Sequence, residues 1–258
     1  MTEIRHVLLC NDDGVFFPGI RALADAFLGA GWRVTVCAPD RERSAASHSM
    51  VLKDPIVAQR VKWDAQHDPT RLDVWQTSGA PSDCVRLALF ELMDAQPDIV
   101  VSGINNGWNA GTDCHYSGTV GAAMEAIFQN IPAIAVSVKH PNAARNACAA
   151  QYALRAAKRV LAMENPLQAL WNINLPDCEP EAICGFVEAP MGRAPYTDHY
   201  DKLVRSPDRA AFWLKGELVA SLFEEGTDLY YLERKYATVT AFRWDWTAPG
   251  LCLSILQD

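Results

Sequence analysis

Two adjacent carboxylates near the start of the chain are the residues whose types and spacing most clearly suggest chemistry. Asp12 and Asp13 follow the apolar run of residues 7–10 and precede Gly14. The apolar run predicts a buried strand, and Asp-Asp-Gly predicts a turn at its end. Because isolated carboxylates are costly to desolvate, two of them at the end of a buried strand favour a divalent cation as a partner. A plain polar turn explains the same residues equally well.

Further polar loops follow the later apolar runs of the first half, at residues 40–49, 77–82 and 103–111. Each follows a predicted strand directly, so parallel strands would bring them all to one edge of a sheet. Oxygen atoms dominate their potential ligands, which come from the side chains of Ser44, Ser47, Asn105, Asn106 and Asn109. Oxygen ligands without paired His or Cys favour magnesium, manganese or calcium over zinc or copper.

A potential anion site lies at Ser117-Gly118-Thr119, directly before an apolar helical stretch. The start of a helix offers free backbone N–H groups and the positive end of the helix dipole. A cation site and an anion site together indicate phosphate chemistry, in which a metal polarises the phosphoryl group and activates water. Simple capping by Ser117 or Thr119 is the plain alternative. His115 is a candidate acid or a purely structural side chain.

The apolar periodicity of the chain predicts the elements that position these loops. Apolar residues recur at i, i+3, i+4, i+7 and i+8 in three stretches, which predicts helices after Pro18, after Ser82 and after Thr119. A fourth helix is predicted at residues 146–163, and residues 53–72 are predicted to be irregular. Strands are predicted at residues 7–10, 34–38, 73–75, 98–102, 132–138 and 171–175. The alternation indicates an α/β fold with a mostly parallel sheet.

The regular alternation ends after Pro176. Strands are predicted at residues 183–189, 211–214, 218–222 and 238–242, with Lys215-Gly216 as the turn between two of them. This tail is dense in aromatic residues. We expect part of that aromatic surface to pack against another subunit.

Length and composition limit the classes of protein that fit. The 258 residues suffice for one large domain or one domain with an appendage, and the formal charge of -8 argues against a nucleic-acid polymer or an anionic membrane as partner. No signal peptide or membrane-spanning run is recognisable, so a cytoplasmic location is expected. The eight cysteines include no CxxC pair and indicate neither a zinc site nor a redox motif.

These loops together resemble the SurE family, the stationary-phase survival protein E nucleotidases. Ala45 follows Ser44 where the family usually has Gly, and the tail is the most divergent part. A weaker similarity continues at residues 172–176 and 226–228, so the resemblance spans most of the chain. The matching stretches, in the family's order, are Asn11-Asp12-Asp13-Gly14, Ala38-Pro39-Asp40-Arg41 through Ser44, Gly79-Ala80-Pro81-Ser82-Asp83, Ser102-Gly103-Ile104-Asn105 and Tyr116-Ser117-Gly118-Thr119-Val120.

The resemblance implies a metal-dependent phosphomonoesterase that hydrolyses nucleoside 5'- and 3'-monophosphates, and in some members short polyphosphate. It implies one divalent ion per subunit, Mg²⁺ or Mn²⁺, bound by Asp12, Asp13, Ser44 and Asn105. Asp12, Asp13 and Asn105 are then the catalytic residues. The substrate side would be lined by Asn11, Asn109, Ser117, Gly118 and Thr119.

For the fold, the resemblance implies a Rossmann-like three-layer fold over residues 1–180. Residues 181–258 would form a β-rich C-terminal extension that is exchanged between protomers of a homodimer or homotetramer. The preferred base, the 5' or 3' position and the general acid stay open.

Three other classes compete with this interpretation. A phospho-signalling receiver module needs a further Asp at the end of the central strand, where the chain has Ser102 and Gly103. A dinucleotide-binding oxidoreductase is disfavoured because two carboxylates replace the G-x-G-x-x-G loop after the first strand. A non-catalytic nucleotide- or phosphate-binding regulatory protein stays the alternative.

Overall fold

The computed structural model describes residues 4–63, 68, 70–206 and 208–247, without the side chain of residue 205. The end of the predicted extension, residues 248–258 with Cys252, lies outside the described residues. The same holds for residues 64–67 and 69 of the stretch predicted to be irregular.

Strands and helices alternate through the first two thirds of the described chain. The helices are α1 (Pro18–Gly29), α2 (Pro81–Leu87), α3 (Gly118–Phe128), α4 (Ala143–Val160) and α5 (Asp228–Glu233). The strands are β1 (His6–Cys10), β2 (Arg33–Pro39), β3 (Ala58–Arg60), β4 (Leu72–Thr77), β5 (Ile99–Asn106), β6 (Ala133–Val138), β7 (Leu170–Leu175), β8 (Gly185–Glu188), β9 (His199–Ser206), β10 (Arg209–Lys215) and β11 (Tyr236–Phe242).

Within the described residues, nine strands form one sheet in the order β3-β4-β2-β1-β5-β6-β7-β11-β8. The six strands from β4 to β7 in this order run parallel. From β1 the chain builds outwards through β2 and β4, and then returns to add β5, β6 and β7 on the other side. The strand order therefore reverses between β1 and β5, where ligands bind in open α/β sheets. The predicted α/β fold with a mostly parallel sheet is confirmed.

Helices cover both faces of this sheet, which gives three layers. Alternate side chains of β1 enter opposite cores, because successive residues of a strand point to opposite faces. Val7 and Leu9 belong to the core beneath α1 and α4, whereas Leu8 and Cys10 belong to the core beneath α2 and α3. All four side chains have no exposed surface. The site at the end of β1 therefore rests on a rigid, doubly covered strand.

The strand β5 continues beyond the predicted end at residue 102, so the predicted loop of residues 103–111 begins inside a strand. The pairing of β5 with β6 shifts register between Ser102 and Asn105. Gly103 lies in this shift with φ of +139°, and a Cβ there would lie 2.3 Å from the Val136 carbonyl oxygen. Only glycine fits this backbone. The irregular pairing brings Asn105 to the carboxyl edge of the sheet.

The predicted hairpin with a turn at Lys215-Gly216 is wrong. The strand β10 pairs with β9, which precedes it, in a separate two-stranded antiparallel sheet. Residues 220–222 form a short 3-10 helix, and Leu218 makes a single bridge to Tyr196. Mixed charged and apolar residues hide the alternation of β9 in the sequence, whereas the turn-forming Lys215-Gly216 favoured the wrong partner.

Other elements differ from prediction in smaller ways. The irregular stretch contains β3, which pairs with β4, and the six-residue helix α5 was not predicted. The helix α2 ends at Leu87 and continues as a π-helical turn over Ala88–Leu92 instead of reaching Pro97. The strands β8 and β11 extend the main sheet beyond β7. Among the described residues, no helix combines the length and apolarity that crossing a membrane requires.

Candidate functional site

Asp12 lies two residues after the end of β1, and its carboxylate is held by the first turn of α3. The Thr119 backbone N–H donates to Asp12 Oδ2 at 3.2 Å, and the Thr119 hydroxyl donates to Asp12 Oδ1. Ser117 caps the helix, because its Oγ accepts from the Val120 N–H at 3.1 Å. The partial positive charge of a helix N-terminus stabilises a carboxylate that is only 5% exposed. The predicted anion site therefore accepts a carboxylate of the chain itself.

Gly118, the first residue of α3, permits this close approach. A Cβ at this position would lie 3.0 Å from both Cβ and Oδ2 of Asp12. Its backbone N–H also donates to Asp12 and opposes the rise in pKa that burial causes. A side chain at residue 118 would therefore press on Asp12 and shift its carboxylate by a few tenths of an ångström.

Asp13 and Asn105 are brought to the same place by β5. The Asn106 N–H donates to Asp13 Oδ2 at 3.1 Å. Asn105 Oδ1 lies 3.3 Å from the Thr119 hydroxyl that also contacts Asp12, while Asn105 Nδ2 donates to the Gly107 carbonyl at 2.9 Å. The amide is therefore oriented with its oxygen towards the carboxylates. The structure thus brings together Asp12, Asp13, Asn105 and Thr119, as the sequence predicted.

Electrostatics in this cluster penalise negative charge. Burial raises the pKa of Asp13 to about 7, with a smaller contribution from Asp12 and a still smaller one from Glu42, against the effect of the Asn106 N–H. Burial also raises the pKa of Asp12. Among the described residues, no group of three or more His, Cys, Asp or Glu side chains is arranged to hold a metal ion. Two carboxylates supplemented by neutral oxygens fit Mg²⁺ or Mn²⁺ better than zinc.

Ser44 lies on the loop after β2, and this loop contacts the backbone of Asp12. Its exposed hydroxyl donates to Glu42 Oε1 at 2.6 Å, and the Arg43 N–H holds the loop to Asp12 by donating to its carbonyl at 2.7 Å. Glu42 was missed by the sequence reasoning, although its charge is felt at Asp13. Its position two residues before Ser44 was the available indication. Ala45 has a left-handed backbone with φ of +56°, where glycine is favoured.

The predicted phosphate contacts Asn11 and Asn109 make their hydrogen bonds inside the protein. Asn11 has no exposed surface, and its amide donates to the Gly14 carbonyl at 2.9 Å and accepts from the Gly14 N–H at 3.1 Å. Asn109 Nδ2 donates to the Ser137 hydroxyl at 2.9 Å, and its carbonyl accepts from the amide of Asn174. In the structure both side chains shape loops, and a phosphate contact by either stays a prediction.

The bulky Trp108 of the loop after β5 is anchored away from the carboxylates. Its indole N–H donates to the Leu175 carbonyl at 2.7 Å, and Lys139 Nζ lies 4.5 Å from the centre of the ring. The rest of the ring packs among the apolar residues around α5. Trp108 therefore stabilises the loop.

The family model described as Survival protein SurE matches residues 7–198 of the chain. This chain belongs to the SurE family. A SurE protein of Synechococcus elongatus, named 5'-nucleotidase SurE, is 42% identical over 248 residues, which cover 94% of this chain and 95% of the relative. Another protein of that name, from Crocosphaera subtropica, is 38% identical over 251 residues, with 94% and 90% covered.

The SurE fold is also shared with a solved structure. The crystal structure of the SurE protein from Aquifex aeolicus superposes with a TM-score of 0.82 at 34% identity, covering 98% of this chain and all of the other. The resemblance inferred from the loop motifs is confirmed by both comparisons. The family assignment rests on similarity over the whole chain. The convergence of Asp12, Asp13 and Asn105 is an independent observation, because it rests on their contacts in the structure.

Proposed function

We propose that this SurE-family chain is a metal-dependent 5'-nucleotidase, a phosphomonoesterase that hydrolyses nucleoside monophosphates to nucleoside and phosphate. The observation that carries the proposal is the meeting of Asp12, Asp13 and Asn105 at the start of α3. The relatives named 5'-nucleotidase SurE support nucleoside 5'-monophosphates as substrates. Nucleoside 3'-monophosphates and short polyphosphate are further substrates under this proposal.

One Mg²⁺ or Mn²⁺ per subunit would be held by Asp12, Asp13, Ser44 and Asn105, and would polarise the phosphoryl group and lower the pKa of bound water. The chain itself fixes the oxygen atoms of Asp12, Asp13 and Asn105 before substrate arrives. Thr119 holds Asp12, the Asn106 N–H holds Asp13, and the Gly107 carbonyl orients the Asn105 amide. Such preorganised groups need little rearrangement during the reaction, which is the main electrostatic source of rate enhancement.

On the phosphate side, Ser117 is the best-placed hydroxyl. Its oxygen accepts from the Val120 N–H, so its own proton is left to donate to a phosphate oxygen. Gly118 and Thr119 act mainly by holding Asp12, because their N–H groups already donate to that carboxylate. A proton for the leaving nucleoside would come from His115 or from water.

We further infer a homo-oligomeric assembly in which the extension, residues 181–258, is exchanged between protomers through its β9–β10 hairpin. The supporting observation is the β9–β10 hairpin, which forms its own sheet and exposes more than half of the surface of Tyr200, Phe212 and Trp213. Exposed aromatic side chains of this kind are typical of protein interfaces. A cytoplasmic location is part of the same proposal.

The test is release of inorganic phosphate from a panel of substrates. The purified protein is given a nucleoside 5'-monophosphate, a nucleoside 3'-monophosphate and tripolyphosphate, each with Mn²⁺, with Mg²⁺ or with EDTA. We expect release with either metal, fastest from the 5'-monophosphate, and none in EDTA. Nucleotide binding without release under every condition would favour a non-catalytic regulatory protein instead.

A further inference from the structure

A cavity of about 250 Å³ lies beside the first two turns of α3. Ser117, Val120, Gly121 and Met124 form one wall, which is a single helix face because residues three and four apart lie on the same side. From Ser117 to Met124 this wall extends roughly 10 Å at 1.5 Å per residue. Ser117 belongs both to this wall and to the helix N-terminus that holds Asp12. The cavity therefore borders the proposed phosphate site at Ser117.

The other walls come from His115, just before α3, and from distant parts of the chain; they are mostly apolar and include one charged residue, Arg243. His115, Met191, Phe242 and Trp246 contribute to them. The rings of His115 and Trp246 meet edge to face, with centroids 5.9 Å apart. Trp246 is 80% exposed, so most of its indole is free to cover a ligand. Flat aromatic rings and polarisable thioethers are the groups that pack best against another planar ring.

The rim of the cavity is tied to the proposed site by the loop that carries Ser44. The Ser47 hydroxyl donates to the His115 carbonyl at 2.7 Å, and the Ser47 N–H donates to the Tyr116 carbonyl at 2.9 Å. A Cβ at Gly121 would lie 2.6 Å from the Ser47 carbonyl oxygen, so this loop packs directly on α3. The loop therefore borders both the cavity and the carboxylates.

We propose that this cavity binds the nucleobase of a nucleoside monophosphate, packed against Trp246 and His115, while the phosphate lies at the start of α3. The inference rests on the proposed nucleotidase function. The volume lies just below the roughly 300–1,000 Å³ of pockets for drug-sized ligands, which suits one base with its sugar. Recognition by stacking accepts every base, because each base has a π-face, and favours purines through their larger ring surface.

Two tryptophans of the same segment provide the test. Trp246→Ala removes a cavity wall, whereas Trp244→Ala removes a tryptophan that is 61% exposed and does not line the cavity. Steady-state kinetics are measured with adenosine 5'-monophosphate and with ribose 5-phosphate, which lacks the base. For Trp246→Ala we expect kcat/KM to fall about tenfold with the nucleotide, mainly through KM, and to change less than twofold with ribose 5-phosphate. Trp244→Ala should leave kcat/KM unchanged with both substrates.

Equal losses with both substrates, or no loss with the nucleotide, would overturn the assignment of the base. A second readout separates this assignment from the nucleotidase function. Adenosine, which has no phosphate, is titrated calorimetrically into the wild type and both variants. Weaker adenosine binding by Trp246→Ala alone supports the cavity even if no substrate is hydrolysed, and equal binding by all three proteins refutes it.

Discussion

Replacing Asp13 by Asn tests two effects of the carboxylate pair separately, namely its cost to the stability of the metal-free protein and its contribution to phosphate release. Burial and the neighbouring Asp12 raise the pKa of Asp13 to about 7. The rise from 3.8 corresponds to ~4 kcal/mol at 1.36 kcal/mol per pKa unit. The pKa of Asp13 is higher in the folded state than in the unfolded state. The free energy of unfolding therefore falls as the pH rises from about 4 to about 7, because the unfolded chain ionises first. At pH 8 the metal-free chain therefore carries the full cost of the charge.

Asn has nearly the shape of Asp without its charge, so Asp13→Asn should stabilise the metal-free protein at pH 8. The chain relaxes around a charge, so we expect about 1–3 kcal/mol in the free energy of unfolding, less than the ~4 kcal/mol limit. The measurement is urea unfolding in EDTA, followed by circular dichroism at pH 8 and pH 5, with a smaller difference at pH 5. Asp94→Asn is the control, since that side chain is 94% exposed.

The same variant should lose phosphate release in Mn²⁺, because a ligand of the proposed ion is replaced by a neutral amide. Stability gained with activity lost is the pattern expected of a site that stores unfavourable charge for function. The reasoning is refuted if Asp13→Asn is no more stable than the wild type in EDTA at pH 8. It is equally refuted if the variant keeps wild-type activity.

Two further substitutions test the backbone around the site. Gly118→Ala should lower phosphate release roughly tenfold to a hundredfold, because the added Cβ would shift Asp12. Gly29→Ala is the control and should keep wild-type activity, since a Cβ at that position has nothing within 4 Å. Equal activity of the two variants in the phosphate assay would contradict this. Ala45→Gly should raise the free energy of unfolding by about 0.5–1 kcal/mol, because left-handed backbone costs an alanine more than glycine's extra flexibility costs the fold. Ala46→Gly should lower it by a similar amount, and urea unfolding in which both variants lose stability would disprove the strain at Ala45.

The first two thirds of the fold could be predicted because its strands are buried on both faces. Such strands read as short apolar runs, and the helices between them carry apolar faces with regular spacing. The parallel order then placed the residues after β1 and at the end of β5 at one edge, which is why Asp12, Asp13 and Asn105 were found together. The C-terminal hairpin could not be predicted from apolar runs, because β9 and β10 form a sheet of two strands with little buried surface.

Two features of the site could not be predicted from the sequence. The first is how polar groups satisfy one another. The Asn11 amide donates to the Gly14 carbonyl, and the Thr119 N–H donates to the Asp12 carboxylate. No sequence pattern indicates either hydrogen bond. The second is the cavity beside α3, because its walls come from residues as distant as Ser117 and Trp246. Only the folded chain brings these residues together.

The central claim is that phosphate is released at an ion held by Asp12 and Asp13. The most direct test titrates Mn²⁺ into the metal-free protein and follows both bound Mn²⁺, by electron paramagnetic resonance, and phosphate release from adenosine 5'-monophosphate. We predict that both rise together and saturate at one ion per chain in the wild type, and that neither rises in Asp12→Asn. Full activity in EDTA, or wild-type Mn²⁺ binding and activity in Asp12→Asn, would contradict the claim.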